Sequence, residues 1–323
     1  MLQSHPAGPD RQCLVSVIIP AKNAAPTLRR AIQSVIEQDY APIEIIVVDD
    51  GSRDDTAAVA ASFAGVRVIR HAESQGAAAA RNAGVAAAHG EAIAFQDADD
   101  EWLPGKLRGQ MALLRSDERM VFVACAARLI GVDGQDRGPL YENGTPVIGD
   151  DTWRGLLARN TIGTPCVVVW RRALIELGGF KAALPVGEDQ DMWIRLSLHG
   201  RFGYIDEPLV RVHATPRSLS GVGSQSGAHM QLQVTIPMIR GHIAAQRHRL
   251  SRQEVRRILG ERLGRAGRAA YSYQLYAEGL PLVLEAMLLG YRPLENLLFL
   301  AIASPPARWL KQRMGFGSSA GAA

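Results

Sequence analysis

The chain has 323 residues, 47% of them hydrophobic and 21% charged, with a net charge of +4. These values are ordinary for a soluble globular protein of one large or two modest domains. Met1 to Gln12 is polar, contains Pro6 and Pro9 and has no apolar core; it is read as a disordered N-terminus and excludes a signal peptide. No window holds about 18 uninterrupted apolar residues, so no membrane span is expected. Cys13, Cys125 and Cys166 lie far apart, an odd count without metal-ligand spacing that fits a reducing, cytoplasmic setting. The charge is uneven: from Thr215 onward there are 14 basic and 5 acidic residues, an excess of +9, and the part before it carries −5. The two parts are expected to do different work.

In chain order, Leu14 to Ile19 is an apolar run stopped by Pro20, which predicts a buried strand. Asn23 ahead of Pro26 predicts a helix start, and Leu28, Ile32, Val35 and Ile36 give that helix an apolar face. Ile43 to Val48 predicts a second strand ending at Asp49-Asp50-Gly51-Ser52. Ser52 with Asp55 resembles a capping box for a helix running to about Phe63. Val66 to Ile69 predicts a third strand, Ala77 to Ala88 a helix carrying Arg81 and Asn82, and Ala92 to Phe95 a fourth strand leading into Gln96-Asp97-Ala98-Asp99-Asp100. Four alternations of strand and helix predict an α/β fold with a parallel sheet, helices on both faces and right-handed crossovers. Ligands of such sheets sit beyond the carboxyl ends of the strands, so Pro20, Asp50 and Asp99 can face one crevice.

After Pro104 the pattern changes. Met120 to Ala127, Thr164 to Trp170 and Leu209 to His213 read as strands, Asp133-Gly134 and Asn143-Gly144 as turns. Gly187-Glu188-Asp189-Gln190-Asp191 leads into a helix with Met192, Trp193, Arg195, Leu196 and Leu198. Ser218 to Ser226 is rich in serine and glycine, a mobile loop or linker. The expected division is a catalytic domain over 13–216, a linker over 217–230 and a basic, amphipathic helical extension over 231–323.

Three carboxylates within four positions at a strand end repel one another, and a divalent cation would offset that cost. Hard oxygen ligands suit Mg²⁺ or Mn²⁺, which commonly bridge carboxylates to substrate phosphates. A solvated acidic turn gives the same local pattern, and Asp97 to Asp100 alone favours it. The second acidic strand end at Asp49-Asp50 and the later cluster from Glu188 to Asp191 shift the balance toward a site. The turn after the first strand, Pro20 to Ala25, has no glycine, and no Walker lysine loop is present. A diphosphate would therefore be neutralised by a metal on carboxylates rather than by backbone amides.

The ordered set of pieces resembles the family-2 glycosyltransferases with the GT-A fold, over roughly the first two-thirds of the chain. The matching pieces are Val15 to Pro20 with Asn23; Val47 to Ser52 with Asp54 and Thr56; Gly76 with Ala80-Arg81-Asn82 and Gly84; Asp97 to Asp100 with Trp102 and Pro104; Gly178-Gly179-Phe180; Glu188-Asp189 with Arg195; and Arg211 with His213. The resemblance implies a mostly parallel sheet flanked by helices, and a nucleotide-sugar donor, with UDP as the first expectation. It implies that Pro20, Lys22, Asn23 and Asp50 form the nucleoside-binding edge, with Asp50 accepting from the base, and that Arg81 and Ala98 lie at the donor. Asp97 and Asp99 would hold Mn²⁺ or Mg²⁺ on the diphosphate with help from His213, Asp99 being the more direct ligand. Asp189 would be the general base of a single displacement with inversion. The acceptor would be a hydroxyl, for instance on a lipid-linked glycan of a bacterial surface polysaccharide, recognised through the segment from about Gly131 to Asn160. No nucleic-acid partner is implied.

Two departures bear on this. Lys181 follows Gly178-Gly179-Phe180 where an acidic residue is common, and the Gln-x-x-Arg-Trp motif of processive synthases is absent, which argues for single-sugar transfer. Each residue also has a plainer reading. Glu188-Asp189 before a helix can serve capping and dipole alone, His213 can be a hydrogen-bonded structural histidine, and Arg81 a solvated helix residue. Trp102, Trp153 and Trp193 suit the core or cleft walls better than sugar stacking. The competing functions are a sugar-nucleotide nucleotidyltransferase, which would want a glycine-rich basic loop after the first strand, and a catalytically silent module that binds a membrane surface.

In the extension, Arg252, Arg256, Arg257, Arg262, Arg265 and Arg268 recur at helical spacing opposite Val255, Ile258, Leu259, Leu263 and Ala266. Leu280 to Leu289 and Leu294 to Ile302 are apolar but interrupted and too short to span a bilayer. Two readings stand: a bundle packed with a solvated arginine face, or peripheral docking at the inner face of the cytoplasmic membrane.

Overall fold

The structure is a computed structural model and describes residues 12–141, 146–215 and 225–303. The N-terminus to residue 11, the Asn143-Gly144 turn signal, residues 216–224 of the expected linker and residues 304–323 lie outside the described residues. The chain divides into two compact units, Met1–Ser218 and Leu219–Ala323.

In the first unit β1 (Val15–Ala21), α1 (Ala25–Ile36), β2 (Ile43–Asp49), α2 (Thr56–Ala61), β3 (Val66–Arg70), α3 (Ala77–Ala87) and β4 (Ala92–Phe95) alternate. The strands stand in the order β3-β2-β1-β4, all parallel, with Val17 opposite Ile45 on one side and Ala94 on the other. Val17, Ile18, Ile19, Ile46, Val47, Val48 and all of β4 are buried, so these strands read as unbroken apolar runs instead of alternating ones. Pro20 does not stop β1, as the sequence suggested. The Ile18 carbonyl accepts from the Gln96 N–H at 3.0 Å, so the like-facing backbone of Pro20 points past the last β4 pairing, where no ladder donor is missed.

The remainder comprises β5 (Glu101–Trp102), α4 (Lys106–Arg115), β6 (Met120–Ile130), β7 (Asp136–Pro139), α5 (Thr152–Ala158), β8 (Val167–Trp170), α6 (Arg171–Glu176), α7 (Glu188–His199) and β9 (Arg201–His213). The sheet continues from β4 through β8, β6 and β9 to β5, with β7 on β6, giving nine strands among the described residues. This half is mixed: β8 runs antiparallel to β4 and β6, while β6 and β9 pair in parallel. Thr164–Cys166 is a 3₁₀ turn ahead of β8, not its first residues. β9 begins at Arg201, well before the expected Leu209. Asp206, Glu207 and Pro208 break its apolar run, but register shifts opposite Cys125, Ala126 and Ala127 keep it on β6. An aromatic cluster of Phe95, Phe122, Phe180, Trp193 and Phe202 fills the space beneath α7, with Phe122 stacked on Trp193 at 6.0 Å.

Two helix starts differ from expectation. Asn23 is not a cap; it sits at φ +50° and ties two loops together, its N–H donating to Ser52 Oγ and its Oδ1 accepting from the Arg53 N–H, both at 2.9 Å. Ser52 is thereby engaged, so no capping box forms, and α2 starts at Thr56 and stops at Ala61.

The second unit contains α8 (Gln225–Met230), a π-helical turn (Gln231–Thr235), α9 (Ile236–Ala245), α10 (Arg252–Ser272), α11 (Tyr276–Leu288) and α12 (Pro293–Ala303). Residues 225–230, expected as linker, are helical: Ala228 is buried and His229 meets Glu278 at 3.1 Å, contacts that outweigh the poor propensity of Gly227. α10 opens with a capping box between Ser251 and Glu254. α10 and α11 cross backbone to backbone, since a Cβ on Gly279 would lie 2.7 Å from the Gly267 carbonyl oxygen. Ile236, Leu263, Ala266 and Ala286 form the core of this unit. No helix among the described residues is long and apolar enough to cross a membrane.

Candidate active site

The carboxyl ends of β1, β2 and β4 carry the residues singled out above, and the structure draws them into two linked groups. The first surrounds Asp50, at the end of β2 and 4% exposed. Its Oδ1 accepts from His71 Nδ1 at 2.7 Å and the Gln75 N–H at 2.9 Å; its Oδ2 accepts from Ser74 Oγ at 2.7 Å and the Gly76 N–H at 2.9 Å. Burial alone would raise this carboxyl, but the four donors bring it below its ordinary value. Gly51 makes this packing feasible: it sits at φ +69°, and a Cβ there would lie 2.7 Å from the Ser74 nitrogen. Lys22 Nζ donates to Ser74 Oγ at 2.9 Å, joining the β1 end to Asp50. Asp50 thus organises the 71–76 loop, and both of its oxygens are already engaged.

The second group centres on Arg81. Its side chain, 7% exposed, donates from Nη1 to Glu188 Oε1 at 2.8 Å and from Nη2 to Asp97 Oδ1 at 3.2 Å, bridging the end of β4 to the start of α7. It is not a solvated helix residue. Burial would lower this guanidinium, but Asp97, Glu188 and Asp189 hold it above its ordinary value. The next residue completes the staple: Asn82 donates to the Phe180 carbonyl at 2.7 Å and accepts from the Phe180 N–H at 2.8 Å. Arg195 reaches back to the carbonyls of Leu177 and Gly179, both at 2.9 Å. These bonds account for the Gly178-Gly179-Phe180 signature and for Arg195 in one network.

The three acidic residues at the start of α7 have different partners. Glu188 pairs with Arg81. Asp191, fully buried, receives Lys181 at 2.8 Å and Arg195 at 2.7 Å, which explains the basic residue after Phe180. Asp189 is held by neutral donors, Asn160 Nδ2 on Oδ2 at 3.0 Å and the Gln190 N–H on Oδ1 at 2.6 Å. Burial and the neighbouring Glu188 push its carboxyl up to about 6, against the pull of Arg81 and Asn160. A carboxylate tuned there is ionised near neutrality yet basic enough to accept a proton.

At the β4 end, burial and Asp97 raise Asp99, with Arg30 and the Thr215 hydroxyl opposing; burial, Asp97 and Asp99 raise Asp100 well above the usual range. Arg30 donates to the Asp99 carbonyl, and Ala98 is buried between the two aspartates. The His213 N–H donates to Asp100 Oδ1 at 3.0 Å. Its Nε2 is buried and lies 3.6 Å from Glu101 Oε2, too long for a hydrogen bond. Burial, with Arg30 next, lowers His213, which keeps the imidazole neutral. The donor chemistry fits a divalent cation: hard carboxylate oxygens under mutual repulsion and a ring nitrogen that has no hydrogen bond among the described residues. As they stand, no three His, Cys, Asp or Glu side chains among the described residues converge into a complete site. Phosphate oxygens of a substrate would supply the remaining ligands.

Trp102, Trp153 and Trp193 are all in the core. Asn160, Arg30, His71 and Ser74 were not anticipated from the sequence. Asn160 follows α5 in a stretch without periodic signal, and Arg30 looks like any polar residue of an amphipathic helix.

Comparison with known proteins decides the family. The sequence profile of glycosyl transferase family 2 matches residues 16–177. The chain belongs to glycosyl transferase family 2. Among curated relatives, this glycosyltransferase is 33% identical over 226 residues to an uncharacterized protein of Mycobacterium tuberculosis, an alignment covering 65% of this chain and 69% of that one. It is 36% identical over 202 residues to the succinoglycan biosynthesis protein ExoU of Rhizobium meliloti, covering 58% and 57%. A shorter match, 40% over 103 residues, covers 31% of this chain and 41% of WfgD of Escherichia coli, a UDP-Glc:alpha-D-GlcNAc-diphosphoundecaprenol beta-1,3-glucosyltransferase. The chain thus spans about half the length of ExoU and less of WfgD. Solved structures with the same fold include Staphylococcus aureus TarS 1–349 in complex with UDP, at TM-score 0.52 and 18% identity over 84% of this chain and 88% of that one. Another is the mannosyltransferase PcManGT of Pyrobaculum calidifontis in complex with GDP-Man and Mn²⁺, at TM-score 0.53 and 21% identity over 94% and 89%. The fold of this family-2 glycosyltransferase is of the GT-A type.

Proposed function

We propose that this glycosyltransferase moves a single sugar, with inversion, from a UDP-linked donor to a hydroxyl of a lipid-linked glycan in surface-polysaccharide assembly at the inner face of the cytoplasmic membrane. The observation that carries the reading is the Arg81 bridge, which fixes the acidic β4 end and the start of α7 as one constellation. The base between two paired neighbours is Asp189, which takes the proton of the attacking hydroxyl. Asp97 and Asp99, with His213, would hold Mn²⁺ or Mg²⁺. A cation bound there would supply Lewis-acid stabilisation to charge on the departing diphosphate. Pro20, Lys22, Asn23 and the Asp50-braced loop form the nucleoside edge, and Arg81 and Ala98 line the donor. The diphosphoundecaprenol-linked acceptor of WfgD supports a lipid-linked acceptor, ExoU supports polysaccharide assembly, and the UDP complex of TarS supports the donor class.

The test compares Asp189→Asn with Asp99→Asn, by calorimetry with UDP and by turnover over a panel of nucleotide sugars. Asp189→Asn is expected to bind the donor normally and lose at least about 10²-fold in kcat. Asp99→Asn is expected to lose only the UDP binding that depends on added Mn²⁺. Wild-type turnover by Asp189→Asn would move the base elsewhere, and full activity in excess chelator would remove the cation from the reaction.

A further inference from the structure

α11 and α12 turn their largest apolar side chains outward. On α11 the exposed leucines Leu280, Leu284 and Leu288 fall four apart; on α12 Leu294, Leu297, Leu298 and Ile302 follow spacings of three and four. Exposure rises from 39% at Leu280 to 81% at Leu288 and Leu294. These helices have a separate packed side: Val283 and Ala286 of α11 are fully buried, as is Asn296 of α12, which donates to the Tyr291 carbonyl at 2.8 Å. The outward leucines are therefore a second apolar face in addition to a satisfied core. Large apolar side chains exposed in this number on two consecutive helices mark a contact surface.

The charge beside the patch says what it contacts. Arg252, Gln253, Arg256 and Arg257, from the first turns of α10, line an open cleft of about 600 Å³ together with Leu289, Gly290 and Tyr291 of the α11–α12 turn. The cleft adjoins the most exposed leucines, because Arg256 Nη2 donates to the Leu288 carbonyl at 3.3 Å. All three arginines are exposed, and Arg252 and Arg257 have no carboxylate partner among the described residues. A second copy is a poor occupant, since a twofold contact over the same leucines would bring two sets of like charge together. The chain beyond α12 is a poor one as well: residues 304–323 add Arg308, Lys311 and Arg313 and no acid. A leucine face bordered by arginines suits a surface that is apolar at depth and anionic at its rim.

We infer that this face docks the protein on a bilayer containing anionic phospholipid, with the α11–α12 leucines entering the boundary between headgroups and acyl chains and Arg252, Arg256 and Arg257 engaging lipid phosphates. The inference deepens the lipid-linked-acceptor reading above and rests on it for its purpose only. Docking is measured without turnover, so failure of either reading is seen separately.

The experiment is vesicle flotation of the full chain, with phosphatidylcholine alone and with phosphatidylcholine containing phosphatidylglycerol. The protein is expected to float only with phosphatidylglycerol, and less as salt rises. Leu288→Glu/Leu294→Glu should reduce flotation to background with an unchanged melting curve, both side chains being exposed. Arg252→Ala/Arg257→Ala should lower the partition coefficient roughly 30-fold, each basic residue near an anionic surface contributing about fivefold. No flotation with phosphatidylglycerol at low salt, or flotation indifferent to both variants, overturns the inference. So does a wild-type dimer that Leu288→Glu/Leu294→Glu dissociates, because a second copy would then cover the face.

Discussion

Asn160→Ala tests whether Asp189 is the titrating base. Asn160 donates to Asp189 Oδ2 at 3.0 Å. A hydrogen bond to a charged acceptor contributes about 1.5–3 kcal/mol, and the lower end applies because Asp189 keeps part of its surface open to solvent. At about 1.4 kcal/mol per pKa unit, losing the bond raises the carboxyl from about 6 to roughly 7. A general base works as the carboxylate, so if Asp189 has the proposed role a raised pKa moves the acid limb of the rate profile to higher pH. At pH 6 the ionised fraction falls from about one half to about one tenth, while at pH 9 both proteins are ionised almost completely. The assay is kcat/KM against pH from 5 to 9, with a melting curve on each protein. A loss of about fivefold at pH 6 that vanishes by pH 9 is expected. A loss of equal size at every pH would refute the reasoning, as would an acid limb that does not move.

Asp191→Asn removes the buried negative charge that Lys181 and Arg195 share and leaves one acceptor oxygen for the two of them. Discounted for the half-exposed lysine, it should cost about 2–3 kcal/mol and lower the melting point of the first unit by roughly 5–10 °C in calorimetry. Asp50→Ala strands the donors of the 71–76 loop. The amides of Gln75 and Gly76 should then exchange hydrogen faster by at least about tenfold, and unchanged protection would refute the bracing role. Gly279→Ala pushes a methyl group against the Gly267 carbonyl and should destabilise the second unit by about 1–3 kcal/mol, read as a lower denaturant midpoint of that unit.

The parallel half of the sheet was legible because βαβ packing buries its strands on both faces, so each appears as an apolar run closed by a turn. The mixed half was not. β9 carries Asp206, Glu207 and Pro208 across a bulge, α5 and α6 are too short to repeat a period, and α4 buries Leu107, Met111 and Leu114 at helical spacing but opens on Gly105 without a side-chain cap. In the site, the strand-end carboxylates could be named from the sequence because their clustering is local. The partners that distinguish them could not. Glu188, Asp189 and Asp191 look alike in a row, and only the fold gives one an arginine 107 residues upstream, one an asparagine and one a lysine–arginine pair. Asn23 and Ser52 misled for the same reason: both have local capping chemistry, and both spend it on each other's loops.

The bond from the His213 N–H to Asp100 Oδ1 spans 113 residues. A chain leaving the ribosome can pair β1 to β4 once the first hundred or so residues have emerged, because every partner in those ladders lies before Gln96. At a typical 5–20 residues per second, β9 follows on the order of ten seconds later. During that interval Asp97, Asp99 and Asp100 stay in water, where their repulsion costs little. The acidic end of the sheet is therefore sealed last, by the final strand of its own unit, and the charged centre adds no obstacle to the early steps of assembly.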